Sequence, residues 1–229
     1  MPARRAFIVN LKTMSTVAVI DYGMGNLRSV CKALEHVSDS VKVHLTSKPD
    51  DLLRADRIVF PGQGAIAGCV SALGELGLNA VLQQVMQTKP FLGICLGLQA
   101  LYEFSEEGGG TPCLGVLPGQ VQLFPAQKMC DPQTGLALKV PHMGWNQVTQ
   151  TQPHPLWAGI PQDARFYFVH SYFVESRERE SVVGVTQYGL RFTSAAARDN
   201  IFAVQFHPEK SQHAGLQLLK NFLNWDGST

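Results

Sequence analysis

The chain has 229 residues, 45% of them hydrophobic, enough to bury one domain-sized core without metal or disulfide staples. Its 19 Lys and Arg against 18 Asp and Glu leave a formal charge of +1, and no basic run gathers that charge, which argues against nucleic acid as a partner. The longest apolar run, FLGICLGLQALY at 91–102, falls short of the ~18 residues a membrane-spanning helix needs, so a soluble protein is expected.

The opening MPARRAFIVNLKTM carries three cations but lacks the apolar core and small-residue cleavage pattern of a secretory signal. Residues 1–15 read as a leader ahead of a single domain over 16–229, with Met14 an alternative start. Short β-rich runs then alternate with helical patterns: VAVI at 17–20, a helix, VKVHL at 41–45, RIVF at 57–60 and a longer helix. That rhythm predicts a parallel sheet. On the first helix Leu27, Val30, Cys31 and Leu34 repeat at i, i+3, i+4, i+7, with Asn26 placed to cap it. One long helix is expected over 66–88, weakened by glycines and ended by Lys89-Pro90, after which FLGI re-enters the sheet. From about 112 to 200 the pattern changes to strands and turns (VQLF, FYFVHSYF, VVGV), predicting an antiparallel insertion. IFAVQF at 201–206 and a helix with Leu216, Leu219 and Leu223 on one face close the chain.

The five cysteines, Cys31, Cys69, Cys95, Cys113 and Cys130, are odd in number and lack C-x-x-C spacing. This argues against a disulfide framework or thiolate zinc site and predicts a reducing cytoplasm. One of them stands apart. In G-I-C-L-G, Cys95 sits between Gly93 and Gly97 where a strand turns into a helix, a cysteine version of the nucleophile elbow. The helix N-terminus there favours a thiolate, and the Leu96 N–H points to the same spot as an oxyanion donor. The same residue reads equally as a buried thiol at an apolar strand end. In FAVQFHPEKS, His207 ends a strand and Glu209 follows two positions later, on the same side of an extended chain. Base and orienting acid would complete a Cys-His-acid triad. His170 and His142 are rival bases, but neither has an acid two residues away. FPGQGA at 60–65 follows a parallel strand and offers a second oxyanion donor from Gln63 or Gly64. IDYGMGNLRSV at 20–30 sits where a dinucleotide fingerprint would, yet has Arg28 in the third glycine's place, so nucleotide binding is disfavoured.

In their order and spacing GICLGLQ, FHPEKS, PGQGA, IDYGMGNLRS and KVPHMGWN resemble the glutaminase subunits of imidazole glycerol phosphate synthase, class I glutamine amidotransferases of histidine biosynthesis. The resemblance runs from about residue 16 to the end. It implies a flavodoxin-like, mostly parallel sheet flanked by helices, with Cys95, His207 and Glu209 as the triad. It also implies L-glutamine as substrate, with Gly64, Gln99, Ser171 and Tyr172 around it, and neither metal nor cofactor. The implied partner is a (β/α)8-barrel cyclase subunit that takes up the ammonia, faced by His142, Met143, Trp145, Tyr167 and Lys210. Two other readings stay open: a glutaminase serving a pyridoxal phosphate type synthase, and a nucleotide-binding regulatory module built on GMGN.

Overall fold

The computed structural model describes residues 14–131 and 133–228. Residues 1–13 of the expected leader lie outside them, and β1 (Ser15–Ile20) begins one residue ahead of the expected domain boundary. On β1, Val17 and Val19 face one side of the sheet while Ala18 and Ile20 face the other, and all four are fully buried because helices cover both faces. Val17 and Val19 share a core with α1 (Leu27–His36) and α6 (Gln212–Asn224). Ala18 and Ile20 pack with α2 (Pro49–Arg54), α3 (Ile66–Glu75), α4 (Asn79–Thr88) and α5 (Leu96–Ala100). Between these layers β2 (Val41–Thr46), β1, β3 (Arg57–Gly62), β4 (Phe91–Cys95) and β14 (Ile201–Val204) run parallel in that order. The predicted parallel sheet flanked by helices is therefore present, with β4 near its middle.

Local readings needed adjustment. The helix expected over 66–88 is two helices bent by 98°, because Gly77 between them sits at φ +65°, where chains with side chains rarely go. Asn26 stands at the start of α1 without a side-chain capping bond, and Ala65 at the start of α3 has none either. There the cap comes from afar: a Glu107 carboxylate oxygen accepts the Ile66 N–H at 2.8 Å. Among the described residues no single helix is long and apolar enough to cross a membrane.

The strand-rich region does not form a layer of its own. Beyond β14 the sheet continues through β13 (Leu190–Arg198), β11 (Tyr172–Ser176), β7 (Gly119–Leu123), β5 (Phe104–Ser105) and β6 (Thr111–Pro112). The β14–β13, β13–β11 and β11–β7 pairings are antiparallel. Alongside β13 run β12 (Val182–Tyr188) and then β9 (Thr149–Gln150). Only β8 (His142–Gln147) and β10 (Arg165–His170) pair separately, as an antiparallel ribbon.

That ribbon buries two imidazoles. His142, expected to face a partner, is 2% exposed and stacks on Tyr188 at 3.9 Å between ring centres. The alternation of β8 explains the correction, since His142 points inward while Met143 and Trp145 stay exposed. His170 Nδ1 lies 2.7 Å from the Tyr172 carbonyl, which can only accept, so Nδ1 carries the proton and Nε2 is left as an acceptor. His142 Nδ1 donates to that Nε2 at 2.9 Å, and the Asn146 amide donates to His142 Nε2 at 3.2 Å. Every bond requires a neutral ring. Burial accordingly pushes His142 down to about 4. Burial, reinforced by the neighbouring His142, pushes His170 down to about 3. His154, whose Nδ1 accepts the Leu156 N–H, is pushed down to about 4 by burial alone.

Two predictions follow from this packing. A Cβ at Gly97 would lie 1.9 Å from the Phe60 carbonyl oxygen, which is backbone and cannot swing away. Gly97→Ala is therefore expected to destabilise the fold by about 1–3 kcal/mol or more, read as a lowered denaturant midpoint. The three buried histidines bind protons less tightly folded than unfolded, so the stability they lend is complete above about pH 6.5 and is lost as pH falls from there towards 4. Each contributes a slope of up to ~1.4 kcal/mol per pH unit, and a Tm that stays flat between pH 6.5 and 4 would contradict this account.

Candidate active site

The parallel register brings the site together. Cys95 ends β4, and the pairing Gly62↔Cys95 places the end of β3 on one side of it. On the other side the last registered pair is Ile94↔Val204, so Gln205 follows abreast of Cys95 and His207 lies just beyond. Ligands gather at such carboxyl ends of parallel strands.

Cys95 has φ +55° and ψ −103°, a conformation that non-glycine residues seldom adopt, and it opens directly into α5. The flanking glycines do not make the turn, since neither has positive φ. They make room for it. A Cβ at Gly93 would sit 3.0 Å from the Gly97 carbonyl oxygen, and one at Gly97 would collide with Phe60. Gly62 is equally constrained, because a Cβ there would meet the Tyr22 hydroxyl at 2.1 Å and the Leu96 Cβ at 2.8 Å. The strain thus falls on Cys95, whose thiol is turned into the mouth of the pocket.

His207 and Glu209 are held as a pair: Nδ1 to Oε1 is 2.9 Å, and each side chain is 2% exposed. Their meeting has a different origin from the extended-strand argument, for the chain leaves the sheet at His207 and makes a short 3₁₀ turn over Pro208–Lys210. Burial alone would depress His207, but the neighbouring Cys95 and the Glu209 carboxylate more than offset it and push His207 up to about 10. Its Nε2 is buried without a hydrogen-bond partner among the described residues. Backbone bonds fix the base: the His207 N–H donates to the Tyr167 carbonyl at 2.9 Å, and Ser211 Oγ donates to the His207 carbonyl at 2.6 Å. Ser211 Oγ also accepts the Tyr167 N–H at 2.9 Å.

A pocket of about 430 Å³ opens over Cys95, lined by Gln63, Gly64, Leu96, Gln99, Ser171 and Tyr172 from the expected set and by Glu107, Pro141, Val169, His170 and Lys210 besides. A larger groove of about 880 Å³ along β11 to β13 is lined by neither cysteine nor histidine, and the candidate site is the smaller one. The GMGN loop is a support for this pocket. A Cβ at Gly64 (φ +104°) would strike Met24 at 2.6 Å, and one at Gly25 would crowd the Gln63 nitrogen at 3.3 Å. Four of the five expected partner-facing residues share one surface: Met143 is 61% and Trp145 37% exposed, Trp145 meets the Tyr167 ring edge-on at 6.1 Å, and Lys210 Nζ stands 6.0 Å from that ring. His142 is beneath them. No group of three His, Cys, Asp or Glu side chains among the described residues is placed to hold a metal.

Sequence reasoning missed Gln205, Glu107 and Ser211. Gln205 is fully buried and its Nε2 lies 3.6 Å from Cys95 Sγ. One signal for it was available, a polar residue inside the apolar run FAVQF.

The glutamine amidotransferase class-I family profile matches residues 18–225. The chain is 60% identical over 214 residues to the imidazole glycerol phosphate synthase subunit HisH of Nitrosococcus oceani, covering 93% of this chain and 99% of that one. It is 58% identical over 212 residues to the protein of the same name from Aromatoleum aromaticum, covering 93% and 99%. Among solved structures, PurLQS from Thermotoga maritima superimposes with a TM-score of 0.65 at 17% identity, over 92% of this chain and 98% of that one, a likeness of fold. Strained cysteine, paired histidine and sustained identity agree: the chain belongs to the class I glutamine amidotransferase family, in the group of imidazole glycerol phosphate synthase HisH subunits.

Proposed function

We propose that this chain is the glutaminase subunit of an imidazole glycerol phosphate synthase, hydrolysing L-glutamine through a thioester on Cys95. The observation that carries the reading is the juxtaposition of the strained Cys95 with a buried, carboxylate-held His207 delivered by the adjacent parallel strand. Cys95 Sγ attacks the side-chain carboxamide carbon of glutamine, and the developing oxyanion is met by the Leu96 N–H and a backbone N–H of the 62–64 loop. His207, kept protonated by its neighbours Cys95 and Glu209, gives its proton to the departing ammonia. A glutamyl thioester remains, and water that gives a proton to His207 attacks its carbonyl carbon, breaking the C–S bond to release glutamate and return Cys95 and the protonated His207 for the next turnover. Glu209 holds the imidazole in the tautomer that presents Nε2 to these steps. Gly64, Gln99, Ser171 and Tyr172 line the pocket in which the substrate would lie.

The ammonia acceptor in this reading is a (β/α)8-barrel cyclase subunit, seated on the surface of Met143, Trp145, Tyr167 and Lys210. Exposed aromatic and methionine side chains beside a cation suit a protein interface. A cytoplasmic location belongs to the same proposal and is supported by five unpaired cysteines. Relatives carrying the HisH name favour this acceptor over a pyridoxal phosphate type synthase, and the packing of Met24 under Gly64 gives the GMGN loop a supporting role in place of nucleotide binding.

Cys95→Ala is expected to abolish glutamine-dependent turnover of the complex with the cyclase while leaving cyclisation with supplied ammonia intact; normal glutamine-dependent turnover would refute the assignment. The same variant removes the strongest influence raising His207, so an NMR titration of its imidazole is expected to move to lower pH than in the unaltered protein. In the unaltered protein the imidazolium is expected to persist through neutrality and to be lost as pH rises through about 10, a loss that should carry the glutaminase rate with it.

A further inference from the structure

We infer that Gln205 is a positioning residue for the nucleophile, donating an amide N–H to the Cys95 sulfur; the inference rests on the reading of Cys95 as that nucleophile. Gln205 is fully buried, one residue past the last registered pair of β14 with β4, and its Nε2 lies 3.6 Å from Sγ. It does not line the substrate pocket, so its contact is with the sulfur and not with glutamine.

The direction of its amide is dictated by a backbone carbonyl. The Tyr172 oxygen can only accept, and it receives Gln99 Nε2 at 3.1 Å. Gln99 must therefore turn its amino end towards Tyr172, and its other N–H meets Gln205 Oε1 at 3.1 Å. With its oxygen held there, Gln205 has only N–H left to offer Cys95. The same Tyr172 oxygen accepts the His170 Nδ1–H at 2.7 Å, and that ring is itself held by His142. One carbonyl thus aligns two buried chains, and a flip of the Gln205 amide would break the bond to Gln99.

A fixed donor on a sulfur favours its anionic form and limits where the sulfur can move, which is what attack on a carboxamide requires. Because the donor touches sulfur, its loss should fall on the reactivity of Cys95 and on kcat, whereas KM also reports Gln99, a pocket residue that the Gln205 oxygen holds. Gln205→Met keeps the length and removes the donor, whereas Gln205→Glu keeps the shape and places an anion against the sulfur.

The deciding experiment is the pH profile of iodoacetamide labelling of Cys95 in the full chain, followed by mass spectrometry, with kcat and KM measured on the complex with the cyclase. Q205M is expected to move the labelling profile to higher pH and to lower kcat about 10- to 100-fold, and Q205E to move the profile further. If Q205M does not fold, Q205E decides alone by its profile. A profile that stays in place overturns the inference, whatever happens to kcat. If Cys95 in the unaltered protein is not the cysteine labelled first, the nucleophile reading itself fails; if it is, and the variants label identically, only the role of Gln205 falls.

Discussion

The site depends on how closely α5 approaches the backbones of β3 and β4. At Gly62, Gly93 and Gly97 there is no space for a Cβ, and the obstructing atoms at the last two include main-chain carbonyls that cannot rotate away. With the helix start pressed onto the strand ends, the connection between them is shorter than an ordinary turn, and Cys95 takes φ +55°. Such a conformation costs about 1–3 kcal/mol in isolation and persists because the buried residues on either side leave no alternative. That compression lifts the thiol off the strand end and turns it towards the pocket. It also brings the starting N–H groups of α5 alongside, so the geometry that turns the thiol also places the donor proposed for the oxyanion.

The histidines show how much a partner matters in one buried environment. His142, His154, His170 and His207 are all less than 9% exposed. Three of them have no carboxylate partner, and burial, reinforced at His170 by the neighbouring His142, pushes them down to about 4, 4 and 3. His207 suffers the same desolvation, yet it has a carboxylate at 2.9 Å and the sulfur of Cys95 nearby, and it is pushed up to about 10. These two buried neighbours offset the burial of one cation, which is the arrangement that makes a buried charge tolerable. Position in the sheet matters no less than charge, since His207 follows shortly after the end of β14, the strand paired with the one that ends at Cys95.

What the sequence made legible was local. The alternation of strand and helix, the glycines around Cys95 and the short interval from His207 to Glu209 all lie within a few residues, where periodicity and backbone restriction speak directly. Cys95 was legible as the turn residue, although the glycines proved to be clearance rather than hinges. Contacts between distant segments were not. Gln205 meets Cys95 across 110 positions, and Glu107 caps α3 across 41, so neither pairing could be read before the strand register was known. His142 was misplaced for a related reason: the KVPHMGWN segment marks a surface, but which of its residues point outward depends on the phase of β8. The helix over 66–88 failed at Gly77, where one positive φ outweighed an otherwise continuous apolar pattern.

The surface proposed for the cyclase and the catalytic base share a set of backbone bonds. Tyr167 presents its ring beside Trp145 and Lys210, while its carbonyl accepts the His207 N–H and its own N–H is held by Ser211. Ser211 closes the loop by donating to the His207 carbonyl at 2.6 Å. These groups are short of slack, because Ser211 is 1% exposed and no water is needed to complete the circuit. Any force that shifts the Tyr167 backbone must therefore either break one of three buried hydrogen bonds or carry His207 with it, and the second is the lower in energy for small displacements. The Tyr167 ring on the proposed interface and His207 are thus joined through the backbone of β10 and not through the pocket, whose lining includes Lys210 alone of the four surface residues.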